Sequence, residues 1–423
     1  MSRFLPYFLA VCVAVCSGAK LPLQDAQILK EAPEEVIFRA GKPELVLECA
    51  TEDKSQAPIR YSWFKNGQLF EPSGEVSQRD NEGTLVFKNP KKDDEGKYQC
   101  FAQTEAGIAS TRIINVKLAF IDIPKVTLQN HKPIEGKLYQ LDCEIPNSYP
   151  KPEIQWIYQS VSDPSISRNI LDKRITLSPN GVLYFSNVTK EDTSADHKYV
   201  CVAKTPAHDG DVVLAEHVME DVQPSSGSNS ELVLQYVSND IVGQVGKVTM
   251  IYCIYGGTPL AHPDWYKDGK NVNNSPKDRV TRYNRTAGKR LLIKETWLED
   301  EGNYTCIVDN EVGKPQEHTI SVRVVSAPEF TKKPEPKDST VSGRDVTIPC
   351  QVAALPVAKI TWTYNAKSLP ENDKLVISQT TQGNITVADL TIKNVQNSDT
   401  GYYGCRATNQ HGDIYAETLL IVQ

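Results

Sequence analysis

The residues best suited to chemistry in this chain are cations. Lys277, Arg279, Arg282, Arg285, Lys289 and Arg290 fall within 14 residues, with Asp278 the only acid among them. Guanidinium groups bind phosphate through paired hydrogen bonds, and an ammonium adds a compact point charge. The cluster could therefore hold phosphate. The chain as a whole has 46 basic and 53 acidic residues, a net charge of −7, so it would be weakly repelled by an anionic surface. At physiological salt the screening length is only ~8 Å, and the local patch decides. The same overall acidity argues against nucleic acid as a partner. The alternative is a solvated hairpin with no partner. The cluster sits on an expected hairpin of strands D and E with its turn at Thr286-Ala287-Gly288, where alternation puts part of the set on the solvent face.

Other chemistries find no support. The chain has no Gly-x-Ser-x-Gly, His-Glu-x-x-His or Walker pattern, so no catalytic constellation, no enzyme and no cofactor are expected. The seven histidines are scattered, and His208-Asp209-Gly210-Asp211 reads as a turn between strands F and G rather than a metal site. Five Asn-x-Ser/Thr sequons occur, at Asn187, Asn273, Asn284, Asn303 and Asn384. Asn284 is expected at a hairpin tip, where a glycan would neighbour Arg282 and Arg285. Asn303 falls on a strand beside Tyr304 and is the least suited to carry one.

The start of the chain sets the redox compartment. Arg3, the apolar run Phe4 to Cys16 and the small residues Ser17, Gly18 and Ala19 form the layout of a secretory leader over residues 1–18. That run is shorter than the ~20 apolar residues a membrane span needs, and no later stretch suffices. A secreted, extracellular protein is expected. Loss of the leader removes Cys12 and Cys16 and leaves eight cysteines in an oxidising compartment. They are Cys49, Cys100, Cys143, Cys201, Cys253, Cys306, Cys350 and Cys405; paired with their neighbours, they are separated by 51, 58, 53 and 55 residues. No Cys-x-x-Cys pair suited to metal occurs. So regular a spacing describes a tandem array.

The elements that position these residues follow from the same spacing. A tryptophan lies 14, 13, 12 and 12 residues after each first cysteine (Trp63, Trp156, Trp265, Trp362), and a tyrosine lies two before each second one (Tyr98, Tyr199, Tyr304, Tyr403). These are the marks of an immunoglobulin sandwich: cysteines on facing strands B and F, the strand-C tryptophan against the bridge, the tyrosine closing the E–F turn. Leu85, Leu183, Leu291 and Leu390 start strand E in each copy. Three copies carry Asp-x-Gly-x-Tyr-x-Cys, whereas the second runs Asp192-Thr-Ser-Ala-Asp196-His-Lys-Tyr199, three residues longer and without the glycine. A distorted turn is expected there.

The expected organisation is all-β: four tandem, I-set-like immunoglobulin domains at 19–120, 121–222, 231–326 and 327–423. The first two and last two are joined tightly, through Lys117 to Pro124 and Val325 to Pro328. Residues 223–230, a Gln-Pro-Ser-Ser-Gly-Ser-Asn-Ser stretch, read as a flexible linker. Its reach is roughly 30 Å when extended, enough for the chain to fold back into a horseshoe. A loose rod stays open on composition alone.

Leader, four such domains, the slack joint after the second and the start Lys20-Leu-Pro-Leu-Gln-Asp together resemble the hemolins, immune-inducible haemolymph proteins of moths, over residues 19–423. The domains are also similar to the first four of neuroglian-type neural adhesion molecules. The resemblance implies the horseshoe, binding of bacterial lipopolysaccharide and lipoteichoic acid, and modulation of haemocyte adhesion through homophilic contacts. On that reading the basic hairpin is the candidate for the lipid phosphates. A purely homophilic adhesion module without a microbial ligand is the competing reading.

Overall fold

A computed structural model describes residues 27–41, 44–52, 58–225, 227, 229–274, 277–283, 287–370 and 372–423. The expected leader lies outside them, as do Asn284 and Arg285. Regular structure among the described residues is strand, apart from single turns of 3-10 helix. The strands form because apolar residues recur with period two. In Gly96–Gln103 the buried residues are Tyr98, Cys100 and Ala102, and in Ile385–Ile392 they are Thr386, Ala388, Leu390 and Ile392. Each strand thus presents one face to a core.

In the first sandwich a sheet ordered Glu35–Phe38, Ile114–Leu118, Gly96–Gln103, Arg60–Lys65, Gln68–Phe70 faces a second sheet of Leu45–Leu47, Leu85–Phe87 and Val76–Gln78. The second sandwich repeats that order with Leu128–His131, Val212–Met219, His197–Lys204, Glu153–Ser160 and Ser167–Asn169 against Tyr139–Leu141, Leu183–Phe185 and Ile175–Leu177. In all four copies an early strand runs parallel to the last one, in registers such as Val36↔Val116 and Lys337↔Leu419. The third and fourth sandwiches share a single strand, Gln316–Lys332. Its first part pairs with Gly302–Val308 and its second with Gln351–Leu355.

Bridges Cys49–Cys100, Cys143–Cys201, Cys253–Cys306 and Cys350–Cys405 tie the two sheets of each copy, with Cα atoms 6.4, 6.3, 6.5 and 6.5 Å apart. The tryptophan beside each bridge is buried. Its indole N–H donates to a carbonyl just before strand E in three copies, Gly83, Gly181 and Gly288, and to Ala388 within that strand in the fourth. The tyrosine hydroxyl donates to the backbone carbonyl of Asp94, Asp192, Asp300 or Asp399, at 2.9 Å every time. In the second copy the acceptor lies seven residues back instead of four. The three extra residues loop outward between Asp192 and His197, and the corner itself is undistorted.

The four sandwiches close into a ring. The first packs on the fourth through Leu29, Ala102, Ala109, Tyr402, Leu419 and Ile421. The Tyr402 hydroxyl donates to the Gln27 carbonyl at 2.8 Å and lies 3.2 Å from Thr104 Oγ1. The second packs on the third through Tyr184, Tyr236, Tyr252 and Ile254. There the Gln235 amide donates to the carbonyls of Tyr139 and Phe185, and Thr258 Oγ1 donates to that of Gly136. Gly256 is required at this seam, since a Cβ would lie 2.6 Å from that of Leu138. Gln223 still pairs with the second sandwich at Pro133 and Glu135, and the next strand begins at Ser230. Gln223 and Ser230, the ends of the stretch 223–230 read from composition, are thus held by the second and third sandwiches.

Candidate functional site

The basic hairpin does not form one solvent face. Arg279 precedes the strand Val280–Arg282 and turns inward onto Asp300 of the E–F turn, with contacts of 2.5 and 2.9 Å. Its guanidinium also lies 3.9 Å from the centre of the Trp297 ring. The Asp300 side chain is 4% exposed and accepts the Trp297 backbone N–H at 2.7 Å. Two other copies build the same staple, Arg174 with Asp192 and Lys374 with Asp399, both at 2.6 Å. Arg279 is thus a structural cation of the repeat and not a free phosphate ligand. This corrects its expected role.

Arg290 faces the seam of the second and third sandwiches. It is buried, with its guanidinium carbon 4.4 Å from the Tyr283 ring centre and Nη1 3.7 Å from Met250 Sδ. Lys289 is 1% exposed, and its ammonium donates across the seam to the Lys173 carbonyl. Burial pushes that ammonium down to about 8. These two correct the expectation of a solvated strand face: a strand facing another domain is apolar or cationic for reasons its own period does not reveal. Lys277 is exposed and has a partner of its own.

Arg282 is the member that stays at an accessible edge. It is half-buried, bonded to Asp264 at 2.9 Å and to the Pro263 carbonyl at 3.3 Å. Close by is His262, exposed at the seam and held below the ordinary imidazole range first by burial, then by Lys289, Arg282 and Lys173. The site that results is made of Lys173 from the second sandwich and His262, Arg282 and Lys289 from the third. Asp172 and Asp264 border it. Sequence reading missed Lys173 and His262, which are ordinary surface residues until the chain folds back.

Among the described sequons, Asn384 sits at the tip of the hairpin between Leu375–Gln382 and Ile385–Ile392. Asn273 is engaged in the fold, accepting from Trp265 N–H and donating to Asp264, each at 2.8 Å. Asn187 lies at the seam, its amide donating to the Gly257 carbonyl at 3.3 Å. His208 to Asp211 form the F–G turn, in which Asp209 pairs with Arg39 of the first sandwich at 2.7 Å. No group of three metal-ligating side chains occurs among the described residues. Two histidines outside the site, His131 and His217, bond one another at 2.9 Å, and His217 continues to the Asp142 carbonyl. Both are lowered by burial and stiffen the second core.

Four immunoglobulin sandwiches closed pairwise define a protein of the immunoglobulin superfamily. Residues 233–324 and 328–422 match the immunoglobulin I-set domain, and residues 27–104 and 123–205 match the immunoglobulin domain. Hemolin of Manduca sexta is 49% identical over 418 residues, 98% of each chain. Neuroglian of Drosophila melanogaster is 37% identical over all of this chain and 33% of its own length. Among solved structures, the insect immune protein hemolin, described as a new domain arrangement with implications for homophilic adhesion, superposes with a TM-score of 0.89. It is 46% identical and covers 94% of this chain and 100% of its own. The chain belongs to the hemolin family, non-catalytic immune and adhesion proteins of the immunoglobulin superfamily. Among the described residues no helix is long and apolar enough to cross a membrane.

Proposed function

We propose that the protein is a secreted haemolymph protein that binds the phosphate-bearing lipids of bacterial surfaces, lipopolysaccharide and lipoteichoic acid, and alters haemocyte adhesion. The observation that carries the lipid part is the meeting of Lys173, His262, Arg282 and Lys289 at the seam between the second and third sandwiches. A phosphate there would meet the exposed Lys173 and the Arg282 guanidinium, which it would share with Asp264, while the buried Lys289 adds its charge alone. The family supports the immune setting, and the ring supports the adhesive one.

The test is binding of the full chain to lipopolysaccharide and lipoteichoic acid at physiological salt. Lys173→Glu with Arg282→Glu should lower affinity by at least tenfold. Reversal of Lys332 and Lys333, exposed on the fourth sandwich, should leave it unchanged. Equal affinity in the seam variant would refute the site. A purely homophilic module is the second reading, favoured by the apolar contact of the first and fourth sandwiches, which two open copies could exchange. Self-association in sedimentation without capture on washed bacteria would select it.

A further inference from the structure

The fourth sandwich carries an open edge. Its strand D, Leu375–Gln382, has eight residues, whereas the strands at that place in the other three copies, Val76–Gln78, Ile175–Leu177 and Val280–Arg282, have three each. On one side it pairs residue for residue with Ile385–Ile392, from Leu375↔Ile392 to Gln382↔Ile385, with no shift of register. On its other side no strand pairs with it among the described residues. The usual defences of an edge are missing, since Leu375 to Gln382 contain no charge, no proline and no bulge. A second edge strand of eight residues, Ser230–Val237, is by contrast broken by two register shifts.

The turn decides which groups this edge offers. Gly383 and Asn384 form a two-residue hairpin loop, Gly383 with a φ of +61°, so Gln382 and Ile385 are a hydrogen-bonded pair. Counting back by twos, Val376, Ser378, Thr380 and Gln382 bond inward, while Leu375, Ile377, Gln379 and Thr381 aim their N–H and C=O outward. The bond from the Ala388 N–H to the Cys350 carbonyl at 2.8 Å, on the far side of Ile385–Ile392, agrees with this phase. The Leu375 groups are already taken: its N–H donates to Asn372 Oδ1 at 2.9 Å and its carbonyl accepts the Asn372 N–H at 3.2 Å. What stays open is Ile377, Gln379 and Thr381. The Leu375 and Ile377 side chains pack on the core, and Ser378 to Gln382 are exposed.

We propose that this edge docks a second copy of the chain, whose own strand Leu375–Gln382 pairs antiparallel with it about a twofold axis at Gln379. Centred there, Ile377 of each copy bonds Thr381 of the other and Gln379 bonds its counterpart, two bonds to each pair and six in all. The strand is its own complement. On one face the two Gln379 carboxamides meet, each able to donate to and accept from the other, with Ile377 against Thr381 on either side. On the opposite face Ser378 meets Thr380 and Val376 meets Gln382. No like charges stand opposite one another, which is the condition that antiparallel self-pairing imposes. Asn384 falls opposite Lys374, beyond the last bonded pair, so a glycan there flanks the contact. One strand pair buries less than the roughly 1,200 Å² of stable complexes, so the dimer is weak in solution and gains strength where many copies share a surface. The inference deepens the homophilic reading and rests on self-association, but it leaves every sandwich in its own ring.

The experiment is sedimentation of the full secreted chain, in which a reversible dimer should appear between about 10 μM and 1 mM, the range of weak complexes. Gln379→Lys and Gln379→Glu, at an exposed position, each set like charges against each other at the axis. Alone, either variant should associate at least tenfold more weakly than the wild type. Mixed in equal amounts, the two should recover wild-type association or exceed it, because Lys then meets Glu. A wild-type chain still monomeric at ~1 mM overturns this proposal and the homophilic reading together. A wild-type dimer that either variant keeps, or variants that gain nothing on mixing, overturns the edge and leaves exchange of the first and fourth sandwiches standing. If the variants are not secreted, hydrogen exchange of the wild-type chain decides. Backbone amides in 375–382 should exchange at least fivefold more slowly in the dimer than in the monomer, and equal rates overturn the proposal.

Discussion

Replacing Arg279 by alanine should damage the third sandwich rather than ligand binding. The variant leaves behind an Asp300 carboxylate that is 4% exposed, with the Trp297 N–H as its remaining donor among the described residues. Breaking a buried pair from one side costs about 3–5 kcal/mol. The Arg279 side chain is itself 22% exposed, so water reaches part of the gap and the lower end of that range applies. Loss of the contact with the Trp297 ring adds about 0.5–1 kcal/mol. A total of about 3.5–4 kcal/mol corresponds to roughly 14–32 °C in the melting point of a domain of this size. Calorimetry of the full chain should show one of its transitions falling by that amount while the others stay. Pairing it with Asp300→Ala in a double-mutant cycle should recover a coupling of about 2–3 kcal/mol. Lipopolysaccharide affinity measured below the new transition should be unchanged. A melting shift under ~4 °C together with a tenfold loss of affinity would refute the reasoning and return Arg279 to the ligand.

Lys289 has its folded-state value depressed to about 8, so the folded protein holds fewer protons than the unfolded chain between 8 and 10.5. Stability should therefore rise with pH across that window. Lys289→Met should flatten the rise in urea denaturation between pH 8 and 10. Tyr402→Phe removes the bonds to Gln27 and Thr104 and should weaken closure of the ring by about 1–1.5 kcal/mol, visible as a larger radius of gyration. Asn384→Gln should remove one glycan from protein secreted by insect cells, and Asn273→Gln should not, as read by mass spectrometry.

What could be read along the chain was set by contacts inside one repeat. The cysteine, tryptophan and tyrosine of each copy meet at distances fixed by the strand plan, so their spacing survives in sequence. The staple was harder to find, because its cation stands 18, 21 or 25 residues before the aspartate in the three copies that have it, and so uneven a gap leaves no period. A basic residue opening strand D followed by the turn aspartate was the signal available. Lys289 and Arg290 misled because alternation says which residues share a face and not whether another domain covers it. One clue to the seam did exist: Gly256-Gly257 inside the strand Thr249–Thr258, where two adjacent glycines mark a close backbone approach. The fold-back itself was open on composition because it rests on side chains far apart in sequence.

The strand shared by the third and fourth sandwiches has a mechanical meaning. Its 17 residues run about 55 Å at the rise of a strand, hydrogen-bonded to one sandwich and then to the other, with irregularities in the ladder after Ser326 and after Phe330. Such a segment behaves as a strut: a bend would have to tear ladder bonds on both sides of Ala327. If the molecule is pulled between two surfaces, load passes along this strut to the contact of the first and fourth sandwiches. The contact of the first and fourth sandwiches should then yield before any sandwich unravels, so that the ring parts like a caliper with its domains intact.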